Sequence, residues 1–132
     1  MTLLEKIQSM KMPFAELKGV TFTEAGKDRV VAKMLVRPEL CTLRNTIHGG
    51  AVMAFADSVG AAVTFVNLPS DAKGTATIES KTNFIGGAKA GMTVTATATP
   101  IHLGRRTHVL QTRITAPDCK LVAIVTQTQM VL

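Results

Sequence analysis

The segment that most constrains this chain is Gly49-Gly50-Ala51-Val52-Met53-Ala54-Phe55-Ala56-Asp57-Ser58-Val59-Gly60-Ala61-Ala62-Val63-Thr64-Phe65-Val66. It shows no strand-like alternation and has the length of a helix, and apart from Asp57, Ser58 and Thr64 it is apolar around its whole circumference. Such a helix must be surrounded by protein or by lipid. Lipid is the poorer host, because the run barely reaches bilayer length, carries a carboxylate at its middle and sits among strands. A central, wrapped helix is predicted, with no membrane partner.

What flanks this helix predicts what wraps it. Upstream, Leu3, Leu4, Ile7 and Met10 give a short amphipathic helix over 3–12 that Thr2 can cap and Pro13 ends. Extended runs follow near 16–24 and 28–36, joined by the turn Ala25-Gly26-Lys27-Asp28. Downstream, β-patterned runs fall near 74–84, 91–100, 106–115 and 120–131; in the clearest of them Met92, Val94, Ala96 and Ala98 alternate with threonines. The order α-β-β-α-β-β-β-β describes an α+β architecture in which one antiparallel sheet curls around the central helix.

Composition sets the remaining bounds. At 132 residues the chain is expected to be one domain, residues 1–132. With 46% apolar and only 18% charged residues, it has more apolar surface than a small monomer hides well, so self-association is expected. The net charge of +6 calls for an anionic partner. Nucleic acid fits poorly, since there is no Trp or Tyr to stack on bases and no long Lys/Arg run. A small anion such as a nucleotide-bearing group fits better. Met1 to Met12 lacks the pattern of a signal peptide, and Cys41 and Cys119 lack a CxxC spacing, which together place the protein in the cytoplasm with free thiols.

Asp57 is the most informative single residue, being the only acid or base between His48 and Asp71. A lone carboxylate in an apolar helix is costly unless it is paired, protonated or chemically employed. Met53, Ala54, Gly60 and Ala61 share its helical face, and three of those four are small enough to leave room for a ligand. At the helix start, His48-Gly49-Gly50 offers free backbone N–H groups and the positive end of the dipole to an anion or a developing oxyanion. Other chemistries lack their residues. There is no GxSxG, HExxH or Walker loop, the three histidines His48, His102 and His108 do not make a metal site, and Cys41 reads as an inert small residue rather than a nucleophile.

The stretch from His48 to Asp57 resembles the signature of the PaaI-like hotdog thioesterases, in which HGG opens the central helix and a catalytic Asp follows on it. The resemblance extends to Lys81-Thr82-Asn83-Phe84-Ile85-Gly86-Gly87-Ala88-Lys89-Ala90-Gly91, similar to the family's strand end and turn, and to Gly104-Arg105, similar to its later hairpin. It implies a hotdog fold and hydrolysis of acyl-CoA thioesters by a homodimer with sites at the subunit interface, often paired into a tetramer. Asp57 then corresponds to the nucleophile or general base, Gly49 to the amide that polarises the carbonyl, and His48 to the histidine beside it. Thr77 corresponds to a hydroxyl supplied by the partner subunit. Arg105 and Arg106, with Gly50, are expected to contact CoA, which is part of the substrate; no separate cofactor or metal is implied. Two other readings of this fold are a module that binds acyl-CoA without cleaving it and a dehydratase or hydratase.

The chain departs from the family before its HGG. Thr42 and Asn45 stand where an Asn and a Gly are common. Asn45 either replaces the glycine in a left-handed backbone conformation or turns its side chain toward the thioester and Asp57.

Overall fold

A computed structural model describes residues Met1–Leu132. Helix α1 (Leu3–Ser9) opens with a capping box in which the Thr2 hydroxyl accepts from the Glu5 N–H and the Glu5 carboxylate accepts from the Thr2 N–H. Pro13 does not simply end a helix. It takes an N-terminal position of a second one, α2 (Pro13–Lys18), where the missing N–H costs nothing. Glu16, Leu17 and Lys18 are therefore helical rather than extended, and Gly19, with φ +80°, closes the helix in a left-handed conformation.

The sheet has six antiparallel strands: β1 (Val20–Gly26), β2 (Arg29–Leu35), β3 (Thr75–Phe84), β4 (Thr93–Leu103), β5 (Thr107–Thr115) and β6 (Leu121–Val131), in the spatial order β1-β2-β4-β5-β6-β3. The helix between β2 and β3, α3 (Gly49–Val66), has the bounds the sequence predicts and lies in the hollow of the curved sheet. This is the hotdog architecture. Inward positions of β2 and β4 are occupied by small residues, with Ala32, Ala96 and Ala98 fully buried, so α3 can sit close to the strands. Val52, Phe55, Ala56, Val59 and Val63 fill the space from the helix side. Its length and apolarity would suit a membrane span, yet here these residues make the core.

Sheet and helix also meet at a polar point. Gln127 and Gln129 on β6 point inward and are fully buried. Gly60 gives Gln127 its place, since a Cβ there would lie 2.0 Å from the Gln127 Oε1. Because Gln127 is enclosed and cannot swing aside, Gly60→Ala is expected to lower stability by about 1–3 kcal/mol, read as a drop in the urea midpoint at unchanged m-value.

Candidate active site

Asp57 lies two turns into α3, half-buried, and is bonded from two strands. The Thr77 hydroxyl donates to its Oδ1 at 2.7 Å and the Gln127 amide donates to the same oxygen at 3.2 Å. Behind Thr77 the chain of donors continues. Gln129 Nε2 donates to Thr77 Oγ1 at 2.6 Å, and the Thr75 hydroxyl donates to Gln129 Oε1 at 2.9 Å. This order fixes the proton directions, because an amide nitrogen only donates. Thr77 must accept from Gln129 and so can give its one proton only to Asp57. The carboxylate is thereby oriented through Oδ1, while Oδ2 receives no hydrogen bond from the chain.

The local sequence explains this placement. Thr75 and Thr77 are two apart on β3 and share a face; Thr77 pairs directly with Gln129 on β6. The β3–β6 register then slips between Thr77 and Glu79. Such irregularities redirect side chains, and this one leaves Ile78 on the outside, 55% exposed. A cavity of about 270 Å³ opens beside the carboxylate, walled mainly by Ile7, Met10, Met12, Ala61 and Phe65.

At the N-terminus of α3, His48 is the cap residue, and its Nδ1 accepts from the Gly50 N–H at 2.7 Å. The imidazole therefore carries its proton on Nε2 when neutral. Gly50, expected to contact CoA, has its N–H engaged by His48. The Gly49 N–H has no partner within the chain and points out at the positive end of the helix. A Cβ at Gly49 would meet the exposed Phe84 ring at 3.1 Å, close enough that the ring would have to shift.

The candidate residues are thus gathered into three places rather than one. Asp57 and Thr77 meet within one chain, because β3 and α3 of the same copy face each other. Gly49, Gly50 and His48 lie at the start of α3. Arg105 and Arg106 lie at its other end, where Arg105 lines a concavity with Asn67, the C-cap of α3, and both arginines line another of about 500 Å³ with Asp71 and Leu132. Asn45 has φ +55°, its carbonyl accepts from the Ala90 N–H, and its side chain does not reach Asp57. The structure thus favours the backbone role over the side-chain one. Thr42 is exposed, and its N–H donates to the Thr46 carbonyl.

Gln127 and Gln129 were not among the sequence candidates. Their signal was present in Val125-Thr126-Gln127-Thr128-Gln129, where alternation puts both amides on the face shared with Val125, the face that a curled sheet turns inward. Of the aromatic and sulfur residues near the motif, Phe65 borders the Asp57 cavity, Phe55 is core, and Met53 and Phe84 are exposed.

A curved sheet around one apolar helix, with a strand-held carboxylate on that helix and a free N–H at its start, defines a hotdog-fold hydrolase of the thioesterase type. A family model described as the thioesterase superfamily matches residues 44–123. The chain is 33% identical over 117 residues to the Mycobacterium tuberculosis protein named "Putative esterase Rv1847", covering 87% of this chain and 83% of that protein. A mutant of the thioesterase PA1618 from Pseudomonas aeruginosa superposes with a TM-score of 0.89 at 30% identity, covering 98% of this chain and 93% of that one. The Escherichia coli PaaI protein shares the fold, with a TM-score of 0.86 at 22% identity over 99% of this chain and 96% of that one. The chain belongs to the thioesterase superfamily and has its hotdog fold.

Two substitutions probe the loop and the donor chain. With Asn45 held at positive φ for its backbone alone, Asn45→Gly is expected to keep turnover within about twofold, whereas Asn45→Ala loses stability by about 1 kcal/mol through strain. A sharp loss of turnover in folded Asn45→Gly protein would instead make the side chain a site group. Gln129→Leu, which frees the Thr77 proton to point elsewhere, is expected to lower kcat by about tenfold while KM stays within twofold.

Proposed function

We propose that this protein hydrolyses acyl-CoA thioesters, with Asp57 as its reacting carboxylate. The observation that carries the reading is the asymmetry of the carboxylate, oriented at Oδ1 by Thr77 and Gln127 and unbonded at Oδ2 beside a cavity. Oδ2 either attacks the thioester carbonyl carbon, giving an acyl-Asp57 anhydride and CoA thiolate that water then resolves, or takes a proton from a water that attacks instead. Either route puts negative charge on the carbonyl oxygen, and an N–H at a helix start is suited to receive it.

The Gly49 N–H and the Asp57 carboxylate of one copy cannot both serve one carbonyl. Eight residues separate them on α3, about 12 Å along the axis and about 80° around it. This separation supports a site shared between two copies, each giving the Gly49 amide to one thioester and Asp57 to the other. The edge strand β3 supports the same reading, because it leaves Ile78 and Phe84 more than half exposed. In such a dimer Arg105 and Arg106 are proposed to meet the CoA phosphates, and pairing of dimers into a tetramer would cover further apolar surface. The free thiols of Cys41 and Cys119 are in keeping with the proposed cytoplasmic location.

The decisive measurement is release of free thiol from a panel of acyl-CoAs, followed with a thiol reagent. Wild-type protein is expected to turn over, and Asp57→Asn to lose about 10²–10⁴-fold in kcat while still folding and sedimenting as an oligomer. Near-wild-type turnover by Asp57→Asn would exclude the mechanism. Binding of acyl-CoA without release by the wild type would make the protein a carrier.

A further inference from the structure

Lys18 is the one lysine of the chain buried to 3% exposure, and no carboxylate pairs with it. It ends α2, its Nζ sits over the face of the Phe14 ring 4.4 Å from the centroid, and it reaches α3, where Nζ donates to the Ala54 carbonyl at 2.7 Å and to the Ser58 hydroxyl at 2.8 Å. An ammonium has three N–H donors, so one meets no oxygen of the chain and has only the Phe14 ring beside it. Burying a cation without a counter-ion is expensive, and natural interiors rarely tolerate it without use. Burial pushes the Lys18 amine down to about 8, with the charge of Asp57 acting in the opposite sense.

Lys18 also lines an open concavity of about 240 Å³, together with Phe14, His48, Gly50, Ala51 and Ala54. Its other charged lining residue, Glu39, is exposed at the rim within 3.9 Å of Arg37, leaving Lys18 as the interior charge. The concavity therefore runs from His48 and Gly50, the neighbours of the free Gly49 N–H at the start of α3, to a buried cation. Along the helix Ala54 is five residues from Gly49, about 7.5 Å along the axis and about 140° around it, so the acyl group that links the two must curve over Ala51, and about five carbons with a hydrogen bond at each end suit that reach.

We propose that Lys18 is a specificity-determining residue and that this cavity takes a short acyl group ending in a carboxylate, the monothioester of a dicarboxylic acid. The distal carboxylate accepts the unused N–H of Lys18 and supplies the missing counter-charge. Phe14, Ala51 and Ala54 line the methylene chain between. This deepens the thioesterase reading and rests on it for the position of the carbonyl.

The test compares glutaryl-CoA with pentanoyl-CoA, which match in carbon count and differ in the terminal carboxylate. Binding is measured calorimetrically in Asp57→Asn protein carrying Lys18, Lys18→Met or Lys18→Arg, and hydrolysis is measured in the corresponding proteins with Asp57 intact. Lys18 is expected to favour glutaryl-CoA at least tenfold in Kd and in kcat/KM, Lys18→Met to abolish or reverse that preference, and Lys18→Arg to keep part of it. The proposal is overturned if Lys18→Met leaves the ratio unchanged, as it would if a second copy's carboxylate already met Lys18. It is also overturned if the Lys18 protein prefers pentanoyl-CoA or binds neither, outcomes that stand even where Lys18→Met does not fold. A Lys18-dependent binding ratio without hydrolysis of either thioester would keep the specificity and discard the catalysis.

Discussion

The structure depends on how a sheet can close around a helix that carries a carboxylate. A wholly apolar α3 would need only packing, and the small residues Ala32, Ala96 and Ala98 on the sheet provide the close approach for it. Asp57 adds a polar demand at the middle of the helix, and the sheet meets it with Thr77 and Gln127. Those donors are themselves fixed by Gln129, by the β3–β6 register and by the absence of a side chain at Gly60. Gln127 and Gln129 are buried, so removing the Thr77 hydroxyl leaves the Gln129 amide without its acceptor, which ties β3 and β6 to one arrangement over α3. The chain's donors to the carboxylate stop at Oδ1, so Oδ2 is the oxygen left to meet a ligand on the cavity side of Asp57.

Much of this was legible in the sequence because it depends on local periodicity. The bounds of α3 follow from the apolar run and its HGG start, and every downstream strand falls within or close to its predicted range. The Thr2 cap is a matter of side-chain reach over three residues. The error at α2 came from competing signals. Phe14-Ala15-Glu16-Leu17-Lys18 has mixed pattern over fewer than two turns, and Pro13 was read as a stop although it equally begins a helix. A six-residue helix of this kind is held by what it packs on, including the contact from Lys18 to α3, which no local pattern contains.

The candidate site was legible as a set of residues and not as a geometry. Asp57, Gly49 and His48 follow from the motif, but which of them meet depends on helix rise and strand register. Thr77 illustrates the point, for the motif names the hydroxyl while the pairing of β3 with β6 is what brings it over α3 of its own chain. Arg105 and Arg106 follow a charge argument that carries no distance, and they lie at the C-terminal end of α3, where the negative end of the helix dipole favours cations. Gln127 and Gln129 were missed because uncharged amides are ordinary on strands, and only the inward face of β6 makes them unusual.

Half-buried Asp57 and buried Lys18 also divide the helix by face. Asp57 is served from β3 and β6, and Lys18 is served from Ala54 and Ser58, residues that bracket Asp57 along the chain. Ser58 donates onward to Ala54 at 3.2 Å, so the lysine, the hydroxyl and the carbonyl form a closed triangle on the face that α2 covers. Were Lys18 there only to stabilise Asp57, a direct ion pair would be the cheaper arrangement, since each group would then neutralise the other at contact distance. The chain instead keeps them apart, each with a vacant hydrogen-bonding position and each beside its own cavity. Two unspent groups of opposite charge on one helix suit a substrate that must be attacked at one point and recognised at another.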